Sequence, residues 1–190
     1  MLYFLRERIT SRKSRMFGVA CCRRFWGNLT DEDFWQCVRL AERFADGGST
    51  EREVSDVMDQ LIETGGERWL SDWAAAMIGI LDPVVHPTVP ADSACQFAKR
   101  PLGRDEAALV RDIFGNPFRP AALDPAWRTE TVVALARGIY EERAFDRMPI
   151  LADALQDAGC TSEDVLGLCR DAKQVHVRGC WVVDLVLGKS

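Results

Sequence analysis

Histidine is scarce in this chain: His86 and His176 are the two in 190 residues. A nucleophilic serine or cysteine needs a base beside it, so such chemistry would have to run through one of those positions. The signatures that announce it are missing. There is no Gly-x-Ser-x-Gly elbow, no His-Glu-x-x-His and no Walker phosphate loop. The glycine pairs at 47–48 and 65–66 bound helices and form no dinucleotide fingerprint. Long apolar runs are also lacking. Met16–Cys22 and Trp73–Leu81 are the longest, far short of the roughly 20 residues that cross a bilayer. The first is flanked by arginines and lacks the small-residue cleavage pattern of a signal peptide. No stretch reads clearly as a strand.

What is present fits a soluble globular protein. Apolar residues make up 47% and charged residues 28%, which argues against disorder over most of the chain. The length suits one helical domain over 1–190, with 1–81 and 93–190 as the alternative subdivision. Seven cysteines, an odd number with Cys21 and Cys22 adjacent, and no export signal point to reduced thiols in a cytoplasm. The net charge is -5, yet residues 1 to 24 hold seven basic side chains and one acidic one. The Arg6–Arg24 segment could meet nucleic acid or another anionic ligand. The plainer expectation is that its arginines pair with acids of the same fold.

Helix signals recur along the chain. Ser11 can cap a helix from Arg12 to about Asn28, whose centre, Met16 to Cys22, is apolar on every side and therefore buried. Thr30-Asp31-Glu32-Asp33, with the Thr30 hydroxyl as cap and acids in the first turn, and the capping box Thr50-Glu51-Arg52-Glu53 open two more. Another spans Glu67–Leu81 and stops at Asp82-Pro83. Pro83, Pro87 and Pro90 make residues 82–92 an extended connector containing His86, read as exposed or packed rather than metal-bound. A short helix over 91–99 and a firmer one over 104–114 follow, with Gly115 at the C-cap. Phe114, Phe118 and Trp127 are expected to tuck the loop after it onto the core. Asp124-Pro125 starts a helical turn, Thr129 or Asp124 the next helix, Asp146 another, and Thr161-Ser162 a short one. Trp181–Leu187 favours helix, closed by Gly188. The fold expected is an all-α irregular bundle of about nine helices.

Two constellations could carry chemistry. Cys160, Cys169, His176 and Cys180 give Cys-x8-Cys-x6-His-x3-Cys. Four thiolate and imidazole groups suit tetrahedral zinc, in a closed structural site. Packed thiols without metal are the competing reading, because cysteine is among the most buried residue types. Second, Asp184 lies in an apolar run, and a half-buried carboxylate needs a partner. Arg119, Arg143, Arg147 and Arg178 are available, and Arg111, Arg119 and Asp184 could line a polar pocket or form a structural clamp.

The blocks Arg-Asp-Ile-Phe-Gly-Asn-Pro-Phe-Arg-Pro (111–120), Leu-Asp-Pro-Ala-Trp (123–127) and Thr-Val-Val-Ala-Leu-Ala-Arg-Gly-Ile-Tyr (131–140) resemble segments of a large family of uncharacterised planctomycete bacterial proteins. So do Ile-Leu-Ala-Asp-Ala-Leu-Gln-Asp-Ala-Gly-Cys (150–160) and His-Val-Arg-Gly-Cys-Trp-Val-Val-Asp-Leu (176–185), and near the start Phe-Gly-Val-Ala-Cys-Cys-Arg-Arg (17–24). The resemblance covers both ends of the chain and matches poorly over residues 50–105. It implies a cytoplasmic bacterial helical module, often with a segment upstream of the equivalent of Met1, and brings no activity or ligand with it. Strong helix signals without a catalytic constellation lead to one expectation: a non-enzymatic protein-interaction or regulatory module. A zinc-stabilised module and an enzyme with an arginine–carboxylate pocket are the alternatives.

Overall fold

The computed structural model describes residues 10–25, 27, 30–65, 79–81, 104–116, 118–119 and 122–189. Among the described residues the chain is all-α, with no strand. It divides into two compact units, Met1–Glu106 and Ala107–Ser190. The expected connector at 82–92, with His86, and most of the helix expected over 67–81 lie outside the described residues, as do Arg6 and Arg8.

In the first unit α1 (Ser11–Phe25) packs on α2 (Glu32–Ala45), and α2 on α3 (Glu51–Gly65). The apolar centre of α1 is buried, with Phe17, Cys21 and Cys22 fully enclosed. The cap of α1 is one residue earlier than its sequence suggests: Thr10 Oγ1, not Ser11, accepts from Lys13 N–H at 3.2 Å. Likewise Asp31, rather than Thr30, caps α2 by accepting from Phe34 N–H at 3.2 Å. A carboxylate is the stronger acceptor for an orphan amide at the positive end of a helix. The capping box of α3 closes reciprocally, Glu53 N–H to Thr50 Oγ1 at 3.2 Å and Thr50 N–H to Glu53 Oε2 at 2.8 Å.

The second unit contains most of α4 (Arg104–Phe114), then α5 (Glu130–Glu142), α6 (Met148–Asp157), α7 (Glu163–Arg170) and α8 (Trp181–Leu187). One-turn 3-10 helices at Pro125–Trp127 and Phe145–Arg147 lead into α5 and α6. Asp124, Thr129 and Ser162 each cap the element that follows. Asp146 does not cap α6. It lies inside the 3-10 turn, and α6 begins without a side-chain cap at Met148-Pro149, where proline has no amide to satisfy. α5 packs on α6 and α8, and α6 on α7. Val132, Ile139, Leu151, Leu155, Val165, Val182 and Val186 fill the space between them. Each such fully buried aliphatic side chain contributes about 1.5–3 kcal/mol.

Asn116 turns the chain after α4. Its Oδ1 accepts from Phe118 N–H at 2.9 Å and its carbonyl from Arg119 N–H at 3.1 Å. Phe118 is thereby turned outward and is 75% exposed, contrary to its expected place on the core. Trp127 does pack against the core.

Candidate functional site

Three features tie α4 to the segment 174–181. Gln174 Nε2 donates to the Ala108 carbonyl at 3.3 Å. Gly115, at φ +67°, lies flat against Trp181, so that an added Cβ would meet the indole at 3.2 Å. Between them is Asp112. It follows Leu109 by three residues, which puts it on the buried face of α4, and it is fully buried.

Asp112 uses both oxygens. Oδ1 lies 2.7 Å from His176 Nδ1, and Oδ2 accepts from Val177 N–H at 2.8 Å. A carboxylate acceptor assigns the imidazole proton to Nδ1. No arginine or lysine pairs with Asp112 among the described residues. Cys180, four residues after His176 across a tight turn, brings Sγ to 3.8 Å from the same Nδ1. The ligating atoms of Asp112, His176 and Cys180 all lie within 4.8 Å of one another. The side chain of His176 is 6% exposed and that of Asp112 is sealed. His176 Nε2 is buried without a hydrogen-bond partner.

The thiols around this group are held neutral. Burial, reinforced by the Asp112 charge, raises Cys180 well above its ordinary range, and the amides of Val183 and Val182 only partly oppose it. Burial, then Asp112 and Cys160, push Cys169 up to about 12. A nucleophilic cysteine needs the opposite: a lowered thiol pKa and some exposure. The wiring differs from a triad as well, because carboxylate and thiol share one ring nitrogen instead of occupying the two ends of the imidazole.

Of the four residues expected to hold zinc, the structure brings His176 and Cys180 together. Cys160 and Cys169 share the core with Cys180 and lie outside the 4.8 Å group, although Cys169 feels the Asp112 charge. Asp112 takes a place that sequence reasoning had not assigned to it. The signal was available, since an acid between Val110 and Ile113 is as anomalous as Asp184 between Val183 and Leu185. Asp184 is buried in the first turn of α8. Arg111 and Arg119 are exposed and form no ion pair with it among the described residues. Arg178 lies over the Tyr140 ring at 4.6 Å.

Three described arginines of the basic N-terminal segment, Arg12, Arg15 and Arg23, are engaged within their own unit. Arg12 reaches Asp46 at 3.1 Å, and Arg23 grips the buried Glu42 through two nitrogens at 3.1 and 2.8 Å. Arg15 is buried, donates to the Ile80 carbonyl and lies 4.7 Å over the Phe44 ring. Compared with protein-family models, curated proteins and solved structures, the chain matches none.

Proposed function

We propose that this chain is a non-enzymatic helical module that acts by binding another protein. The observation that carries this reading is the closure of the Asp112–His176–Cys180 group. All three side chains are more than nine-tenths buried, and carboxylate and thiol converge on one nitrogen. Such a group joins elements and offers a substrate neither nucleophile nor base. At the surface of the second unit, Phe118, Ile150 and Val175 are exposed at 75%, 54% and 41%, and they supply apolar contact points for a partner. The resemblance to planctomycete proteins supports a bacterial cytoplasmic setting for the module. Six cysteines of the described residues are in the thiol form, which agrees with a reducing compartment, and no described helix is long and apolar enough to cross a membrane.

The test is a pull-down with the purified chain alongside Phe118→Ser and Ile150→Ser variants. A partner retained by the parent and lost from a variant of unchanged melting temperature supports the reading. Turnover of a small molecule that disappears in His176→Gln, with stability unchanged, overturns it.

A further inference from the structure

We propose that Asp112, His176 and Cys180 form a zinc-binding centre that fastens α4 to the 174–180 segment. The donor set is a carboxylate oxygen, an imidazole nitrogen and a thiol sulfur, all of them zinc ligands. Their atoms already lie within 4.8 Å of one another. Asp112 is fully buried, and its partners are a ring N–H and one backbone N–H. With a neutral imidazole the group carries one unbalanced negative charge in a dry interior, the setting in which a cation gains most. His176 Nε2 is the ring nitrogen without a hydrogen-bond partner, on a side chain only 6% exposed, so it can take up the ring proton. Moving the ring proton from Nδ1 to Nε2 frees the nitrogen that faces Asp112 and Cys180.

The balance of the binding step follows. Zinc bonds form to Asp112 Oδ1, His176 Nδ1 and Cys180 Sγ, and a neutral water takes the fourth tetrahedral position. The imidazole proton moves to Nε2, the thiol proton leaves to solvent, and the group goes from one negative charge to neutral. The Oδ1–Nδ1 separation of 2.7 Å is that of a hydrogen bond. Ligands of one tetrahedral zinc at 2.0–2.2 Å stand roughly 3.3 Å apart, so the metal opens this contact by about half an ångström. The centre differs from the Cys160–Cys169–His176–Cys180 set in having oxygen, nitrogen and one sulfur.

The experiment loads the purified, chelator-treated full chain with zinc alone, and in parallel with cobalt(II) as a spectroscopic substitute. The expected result is one metal per chain and a thiolate-to-cobalt charge-transfer band. That band is lost in Cys180→Ser and kept in Cys160→Ser. Zinc at a hundredfold excess over its Kd should slow amide exchange through global opening of residues 107–190 about a hundredfold. X-ray absorption at the zinc edge of the unmutated protein reads the ligand shell even if Cys180→Ser fails to fold, and should show sulfur together with nitrogen or oxygen. No retained metal, a shell of sulfur alone, a shell without sulfur, or a cobalt band that survives in folded Cys180→Ser overturns the proposal.

Discussion

The two units solve the same problem, a charge inside a helical core, with different partners. In the first, the buried acid is Glu42, and a guanidinium from α1 meets it edge to edge. Arg12 and Arg15 extend that pattern, so a basic α1 is matched to acids and carbonyls of its own unit. In the second, one of two buried acids is Asp112, and its partners are an imidazole and a backbone amide. An arginine pair is planar, permanently charged and indifferent to metal. An imidazole–carboxylate pair with a thiol beside it can exchange a proton or a metal ion. A run of arginines in a sequence therefore does not by itself indicate an anionic ligand, whereas an isolated buried Asp–His–Cys group has chemistry in reserve.

The largest expected effect is from Asp112→Ala. It leaves the His176 ring N–H and Val177 N–H buried without acceptors, at a cost of about 4 kcal/mol. Denaturant unfolding would measure it, and hydrogen exchange should place the lost protection in residues 107–190 and not in α1 to α3. Arg23→Ala is the counterpart in the first unit. It removes both guanidinium donors from the buried Glu42 and should cost about 3 kcal/mol, with the lost protection in α1 and α2. If both variants lose protection over the whole chain, the division into two units does not hold in solution. Gly115→Ala combines a left-handed backbone with a Cβ 3.2 Å from the Trp181 indole, and should cost about 2 kcal/mol in chemical denaturation.

Alkaline pH acts gradually, by an amount that depends on how far it is raised. Cys169 and Cys37 rise from an ordinary 9.0 to about 12, Cys169 through burial, then Asp112 and Cys160, and Cys37 through burial, then Asp33 and Asp31. Below pH 9 both folded and unfolded chains hold these protons, so stability is indifferent to them. Between 9 and 12 the unfolded chain releases protons that the folded chain keeps. Stability then falls by about 1.4 kcal/mol per pH unit for each thiol. Denaturation curves from pH 7 to 11 should show the decline, and Cys169→Ala should remove its share. The smallest effect is from Arg39→Ala, which loses an ion pair to Glu32 at the surface and should change stability by less than about 0.5 kcal/mol.

The helices were legible because their determinants are local. Caps, glycine stops and apolar stripes act within four residues, which is why α3, α5, α7 and α8 follow from the sequence. The misplaced caps of α1 and α2 arose where two adjacent residues could each accept the bond, and geometry chose between them. The site was half legible. His176 and Cys180 stand four residues apart, a nearness that can be read from the chain, but Asp112 meets His176 across 64 positions, and no local pattern encodes that meeting. Cys160 and Cys169 were drawn into the expected ligand set by nearness in sequence; they share a core with Cys180 but are not among the three residues whose ligating atoms converge within 4.8 Å. Phe118 was misread for a related reason: an aromatic residue looks like core until the Asn116 turn points it outward.

The 64-residue span between Asp112 and His176 also bears on the order of folding. Closing a loop of that length costs more chain entropy than pairing helices through short turns, so α5, α6 and α7 can assemble before α4 is secured. An interaction made after the barrier changes the rate of escape from the native state more than the rate of reaching it. Loss of the Asp112 contact should therefore steepen unfolding and leave refolding nearly unchanged, making this single carboxylate a determinant of how long the second unit stays folded.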